Sequence, residues 1–185
     1  MSTRPAPILT LEPLIDAIRE GVEGGAWSLS GLQKTTSHQF EGLWEGESSR
    51  SAYLFFHSDL APEPASVEAF LDETNRGLFA SLSLVVDGRT LEELGAVDPV
   101  LERLGGIASA HLPARYPAPL TLRLRLGNPA GPPGAAESEA RFKLRLPRAA
   151  LGNGHAEVVA VVRRAVRAFD SMLADPGLQG FFTDD

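Results

Sequence analysis

Two histidines and one aspartate are the residues of this sequence with the clearest potential for chemistry. His38 and His57 flank a run rich in aromatic residues, and Asp59 follows the second histidine by two positions. Two imidazoles and a carboxylate can bind a divalent metal, and a histidine oriented by a carboxylate can act as a general base. The alternative interpretation is structural: these are half-buried polar side chains at the end of an aromatic row.

The two histidines meet only if residues 38–57 form one β-hairpin. A turn at Gly46–Ser49 would place His38 opposite His57. Because side chains alternate along a strand, one face would then carry both histidines and several rings, and we expect this face to be core. Its members are His38, Phe40, Trp44, Tyr53, Phe55 and His57. A loop of odd length would shift the register and separate the histidines.

Cationic side chains alternate with apolar residues in two later segments, 120–126 and 140–146, which both have the pattern of strands. The surrounding segment 115–148 holds seven cations and two glutamates, a charge of +5 that leaves −12 for the remainder of the chain. If the two strands are neighbours, one sheet face carries the candidates for binding a partner or an anion. These candidates are Arg123, Arg125, Arg141, Lys143 and Arg145.

Like charges on neighbouring strands are unfavourable, so this cationic face requires negative charge nearby. Three sources of this negative charge remain open. Local acidic residues would make it an ordinary solvated surface, an acidic segment of another protein would make it a docking site, and RNA or DNA would make it a nucleic-acid site. Nucleic acid is disfavoured because no aromatic residue is interleaved with the cations for base stacking, and because the net charge is −7.

The composition restricts the class of protein further. The 185 residues suit a single domain, 1–185, and the absence of cysteine excludes disulfides and thiolate chemistry. No phosphate-binding glycine loop, dinucleotide fingerprint or nucleophile motif is present, so we expect no cofactor. We find no signal segment and no apolar run of the ~18 residues needed to span a membrane. These features predict a cytoplasmic protein of bacterial type.

Hydrophobic periodicity predicts an α+β fold. We expect an antiparallel sheet of about five to six strands, with N-terminal and C-terminal helices packed mainly on one face. Helices are predicted from residue 11 to the Gly24–Gly25 pair, from 66 to 77, from 98 to 108 and from 153 to 174. Further strands are predicted at 27–34 and 78–86, whereas 89–96 fits either a strand or a helical turn. We expect a flexible arm at 1–9, a mobile Gly/Pro loop at 127–139 and a tail at 176–185.

The predicted order of elements is helix, three strands, helix, strands and a terminal helix. With the run Ser66–Phe79 and the later run 140–169, this order resembles the type III secretion chaperone-like superfamily. The resemblance implies a small, acidic, non-enzymatic α/β protein that dimerises and binds extended segments of a client. It identifies no functional residue in this chain.

Three functional hypotheses follow from the sequence. The leading one is a non-enzymatic protein-interaction module, such as a small chaperone or assembly factor, that binds a protein partner, with a homodimer as one form of that interaction. The second is a metal-dependent or acid–base enzyme centred on His38, His57 and Asp59. The third is nucleic-acid or anion binding through the Arg-rich strands.

Overall fold

A computed structural model describes residues 5–37, 49–61, 65–87, 97–112, 114, 121–125 and 139–176. Its elements in chain order are α1 Leu11–Glu23, β1 Ser28–Ser37, β2 Ser49–His57, β3 Ala65–Thr74, β4 Gly77–Asp87, α2 Val97–His111, β5 Thr121–Arg125, β6 Glu139–Arg145, α3 Arg148–Gly152 and α4 His155–Leu173. The six strands form one sheet in the order β1-β2-β3-β4-β6-β5, and every neighbouring pair is antiparallel. The predicted α+β class is confirmed.

Helices α1 and α4 form a layer on one face of the sheet. The apolar residues of α1 recur at helical spacing and are buried, and α4 presents a wider apolar stripe of the same kind. The two helices approach closely at Gly21, where a Cβ would lie 2.6 Å from the Val162 Cγ1 atom. Helix α2 packs on α4. The predicted placement of the terminal helices on one face is therefore confirmed.

The predicted helix at residues 66–77 is wrong, because this segment is strand β3 followed by a turn into β4. Ala65, Val67 and the other odd-numbered residues to Leu71 are buried, whereas the even-numbered residues are partly exposed. Thr74 pairs with Gly77, whose φ of +117° is accessible mainly to glycine. The apolar residues of this segment fit the helical period as well as the strand period. The segment forms a strand because it pairs with β2 on one side and with β4 on the other.

The hairpin predicted for residues 38–57 is also wrong. His57 pairs with Ser28, not with His38, and β2 pairs along its length with β1 on one side and β3 on the other. Both edges of β2 are thus occupied by β1 and β3. His38 itself lies outside the described residues.

The N-terminal segment is attached to the body from residue 5 onward. Ile8 is buried, and its backbone N–H donates a hydrogen bond to the Leu151 carbonyl at 2.9 Å. The Ala6 carbonyl packs beside Gly154, where a Cβ would lie 2.5 Å from the oxygen. The flexible arm predicted at 1–9 is therefore docked over its described part. The final helix, predicted from residue 153, begins at His155 with Gly154 as its N-cap, after the short helix α3 that the periodicity did not predict.

Several predictions fall on residues outside those described. These are residues 46–48 of the predicted turn, whose last residue Ser49 begins β2, together with the ambiguous segment 89–96, the loop 127–138 and the tail from residue 177. Glu139, predicted as the end of that loop, is the first residue of β6. None of the helices in the described part of the chain is both long and apolar enough to cross a membrane.

Candidate functional site

Strand β2 presents its aromatic row away from the core. Tyr53 and Phe55 are 40% and 37% exposed, whereas Leu54 and Phe56 are fully buried. The expectation that the face with Tyr53, Phe55 and His57 is core is therefore reversed. The physical reason is the helix layer, which covers the face that carries Leu54 and Phe56, whereas no helix in the described part of the chain covers the other side of the sheet.

We call this uncovered side the open face. Its central residues, in strand order, are Tyr53, Phe55, Glu68, Phe70, Asp72, Phe79, Ser81, Ser83, Glu139, Arg141, Lys143, Arg145 and Arg123. The register aligns them in rows that cross the strands. One row runs from Tyr53 through Phe70 and Ser81 to Arg145, and the next runs from Phe55 through Glu68 and Ser83 to Lys143.

Aromatic rings occupy the β2 and β3 side of the open face. The Tyr53 and Phe70 rings lie 4.8 Å apart between centroids, and Phe70 lies 6.3 Å from Phe79. These tilted contacts are within the range of favourable aromatic pairs. The rings therefore form a partly exposed apolar cluster that the helices do not cover.

Cations occupy the β5 and β6 side. The two Arg-rich segments are neighbouring antiparallel strands, which was the condition for a shared cationic face, with Arg123 opposite Arg141 and Arg125 opposite Glu139. Arg123 is exposed and Lys143 is partly exposed. The five candidate residues are thus brought onto adjacent strands, and their role in binding stays a prediction.

Two of these cations have partners on the protein itself. Arg141 donates to Glu68 at 2.6 Å and to Glu139 at 3.1 Å, and the bond to Glu68 passes over β4. The Arg145 guanidinium lies 4.6 Å from the centroid of the Phe79 ring, at cation–π distance. Within the described residues, no ion pair forms to Arg123 or Lys143. These two cations are therefore available for an anion.

A groove of about 370 Å³ separates the aromatic rings from the cations. Its floor is formed by Ser81 and Ser83, which are small residues of β4 flanked by longer side chains on both neighbouring strands. One wall, the aromatic wall, consists of Tyr53, Phe55 and Phe70. The opposite wall, the cationic wall, consists of Arg123, Arg141 and Lys143. A volume of this size is at the lower end of typical ligand pockets.

Acidic side chains limit what the groove can accept. Glu68 and Glu139 line it beside Arg141, and Asp72 lies on the aromatic side, where it accepts a hydrogen bond from the Ser51 hydroxyl at 2.8 Å. An extended polyanion would meet these carboxylates along with the cations. A ligand with one or two negative charges matches the two unpaired cations better.

The His57–Asp59 pair lies away from this groove, at the end of β2. The His57 Nε2 atom is 3.9 Å from Asp59 Oδ1, and the two side chains are 59% and 98% exposed. Among the described residues, no group of three or more potential metal ligands occurs. Nothing in the described structure therefore brings a third ligand or a shielded substrate site to these two residues.

A partly buried polar contact joins Trp27, just before β1, to α4. The Trp27 indole N–H donates to Asp170 Oδ1 at 2.8 Å, and the Trp27 ring is buried. Burial raises the pKa of the Asp170 carboxyl, and the hydrogen bond from Trp27 opposes this rise. This contact orients α4 and lies within the helix layer, on the opposite side of the sheet from the groove.

Comparison of the chain with protein-family models, curated proteins and solved structures found no match. The geometry of the open face is therefore the basis for any functional inference.

The cationic wall can be identified from the sequence, but the aromatic wall and the floor cannot. The sequence pattern predicts a helix at Phe70 and core positions for Tyr53 and Phe55. The available signal is the alternation in β4, where Ser81 and Ser83 lie between Ala80, Leu82 and Leu84. Because side chains alternate along a strand, these two small polar residues lie on the same face of β4. They predict that the face opposite Ala80, Leu82 and Leu84 has a low-lying strip at this strand.

Proposed function

We propose that this protein is a non-enzymatic interaction module that binds an acidic segment of a protein partner on the open face of its sheet. The observation that carries the proposal is the groove, which has a partly exposed aromatic wall on one side and, on the other, Arg123 and Lys143, which form no ion pair with any described residue. Aromatic rings supply contact area at interfaces, and cations select for acidic partners.

Protein is favoured over nucleic acid by the charge of the face. Arg141 is already paired with two glutamates, and Asp72 lies on the same side of the sheet. A nucleic acid brings one phosphate per nucleotide and gains affinity mainly by pairing many of them. Two unpaired cations among several carboxylates suit a short acidic peptide segment instead.

The proposal can be tested with a random copolymer of glutamate and tyrosine as the acidic aromatic probe, followed by fluorescence anisotropy. We expect the double variant Arg123→Glu/Lys143→Glu to lower the affinity by about tenfold or more, because the cations meet the acidic side chains of the probe. The matched control is Arg164→Glu/Arg167→Glu, which makes the same change in net charge on the exposed side of α4. It should change the affinity by about twofold or less.

Two results would overturn this function. One is an equal loss of affinity in both double variants, which would indicate a response to net charge alone. The other is tighter binding of oligouridylate than of the copolymer, with a steep salt dependence, which would indicate a nucleic-acid site.

A further inference from the structure

We infer that the groove recognises an extended segment in which an aromatic residue and a carboxylate residue are separated by four positions, with the ring on Tyr53 and Phe70 and the carboxylate at Lys143 and Arg123. This inference rests on the proposed function and specifies the kind of segment that is bound. The inference depends on the order of side chains across the groove. The aromatic rings lie on β2 and β3, the two serines of the floor lie on β4, and the cations lie on β6 and β5.

The spacing follows from the geometry of a sheet. Neighbouring strands lie about 4.8 Å apart and adjacent rows about 7 Å apart along the strand, so the position of Lys143 on β6 is about 12 Å from that of Phe70 and about 16 Å from that of Tyr53. An extended peptide advances about 3.3 Å per residue. Side chains four residues apart point to the same side and lie about 13 Å from each other, which matches the width of the groove.

The floor permits a peptide to cross the strands. In both rows of the register, a serine of β4 lies between larger side chains, with Ser81 between Phe70 and Arg145 and Ser83 between Glu68 and Lys143. Ser81 and Ser83 are 2% and 4% exposed, so their short side chains leave space for a bound segment between the longer neighbouring side chains.

The ion pair between Arg141 and Glu68 closes one side of the site. It spans β4 beside Ser83, and both side chains are about three-quarters buried, with exposed fractions of 29% and 25%. Because Arg141 is held by Glu68 and Glu139, the incoming carboxylate is left to Lys143 and Arg123. The site thus has separate positions for a ring and for one carboxylate.

The test uses end-blocked, nine-residue peptides with a serine and threonine background, one tyrosine and one glutamate. Binding to the full chain is followed by NMR titration. We expect the peptide with glutamate four residues after tyrosine to bind about fivefold tighter than the peptide with a three-residue separation, whose two side chains point to opposite sides. Replacing its glutamate by glutamine should remove this advantage.

Protein variants assign the two positions. Lys143→Gln should lower the affinity for the glutamate peptide about fivefold and leave the glutamine peptide unchanged, whereas Tyr53→Ala should weaken both. Arg164→Gln, on the exposed side of α4, is the control and should have no effect. Equal binding at both separations, with the copolymer still dependent on Arg123 and Lys143, would overturn the inference and leave the proposed function intact. Loss of that dependence would overturn both.

Discussion

The Arg141 guanidinium donates a 2.6 Å hydrogen bond to the Glu68 carboxylate across an intervening strand, so that β3 and β6 are joined above β4. The bond lies on the side of the sheet opposite α1 and α4, where none of the described helices packs. It therefore restrains the twist of the sheet between the aromatic and the cationic wall, where the helix layer provides no direct contact.

This ion pair should stabilise the fold measurably. A hydrogen bond between charged groups contributes about 1.5–3 kcal/mol, and partial exposure reduces this, so we expect a coupling free energy of about 1 kcal/mol between Glu68→Gln and Arg141→Gln. A double-mutant cycle in urea unfolding measures it. The exposed pair Arg19–Glu23, whose atoms are 3.6 Å apart, is the control and should give about 0.5 kcal/mol or less. Equal couplings would mean that the Arg141–Glu68 bond adds nothing beyond an ordinary surface pair.

The two neighbouring phenylalanines of β2 should respond very differently to truncation. Phe56 is fully buried under the helix layer, so Phe56→Ala should lower the free energy of unfolding by about 3–5 kcal/mol. Phe55 is 37% exposed on the open face, and Phe55→Ala should cost about 1 kcal/mol. Chemical denaturation of both variants measures the difference. A larger cost at Phe55 would show that the core lies on the opposite face.

The close approach of α1 and α4 depends on Gly21. A Cβ at this position would lie 2.6 Å from Val162 Cγ1, so Gly21→Ala should destabilise the protein by about 1–3 kcal/mol through overpacking. Gly105 in α2 is exposed, and a Cβ added there would meet no atom within 4 Å, which makes it a matched control. Gly105→Ala should instead stabilise by about 0.5–1 kcal/mol, because alanine favours the helix. Thermal unfolding that moves the same way in both variants would contradict the close helix contact.

The half-buried Asp170 should make stability fall as the pH rises. Its folded-state pKa is raised above 3.8 by burial, so the native state binds this proton more tightly than the unfolded state. The stabilisation is complete below the unfolded pKa and is lost as the pH rises through the folded pKa. Asp170→Asn does not titrate and keeps an oxygen for the Trp27 indole N–H. Its free energy of unfolding relative to the wild type should therefore increase with pH across this window and then stay constant.

A series of urea unfolding curves between about pH 3 and about pH 7 provides this measurement. Trp27→Phe serves as a second variant, because it removes the hydrogen bond that lowers the Asp170 pKa while retaining an aromatic ring. In Trp27→Phe, the pH range over which stability falls should therefore extend to higher pH. A relative stability of Asp170→Asn that does not change with pH would exclude a raised pKa.

The helices at the two ends of the chain are predictable from sequence because their apolar residues fit only one period. Leu11, Leu14 and Ile18 of α1 recur at helical spacing, and α4 extends its stripe over five turns. Segment 65–74 is not predictable in the same way, since Val67, Phe70 and Leu71 satisfy a helix while Ala65, Val67, Ala69 and Leu71 satisfy a strand. Only its position between β2 and β4 distinguishes them.

The candidate site is predictable only where its residues are neighbours in one strand pair. Arg123 and Arg141 come from two obvious strands that are adjacent in the sheet. The aromatic wall requires the strand order and the register of β2, and the run 38–45 offers a reasonable but incorrect partner. The predicted partner added Phe40 and Trp44 to the face with Tyr53 and Phe55, so this error also led to the wrong choice of buried face in β2.

The contact between α1 and α4 also determines when the fold can be completed during synthesis. Strands β1 to β4 pair in chain order, so each can join the sheet as soon as its predecessor has formed. The helix that completes the cover of the sheet's apolar face is made of residues 155–173. Until these residues have been translated, the nascent chain carries an uncovered apolar surface, and this is the interval in which it most needs protection from aggregation.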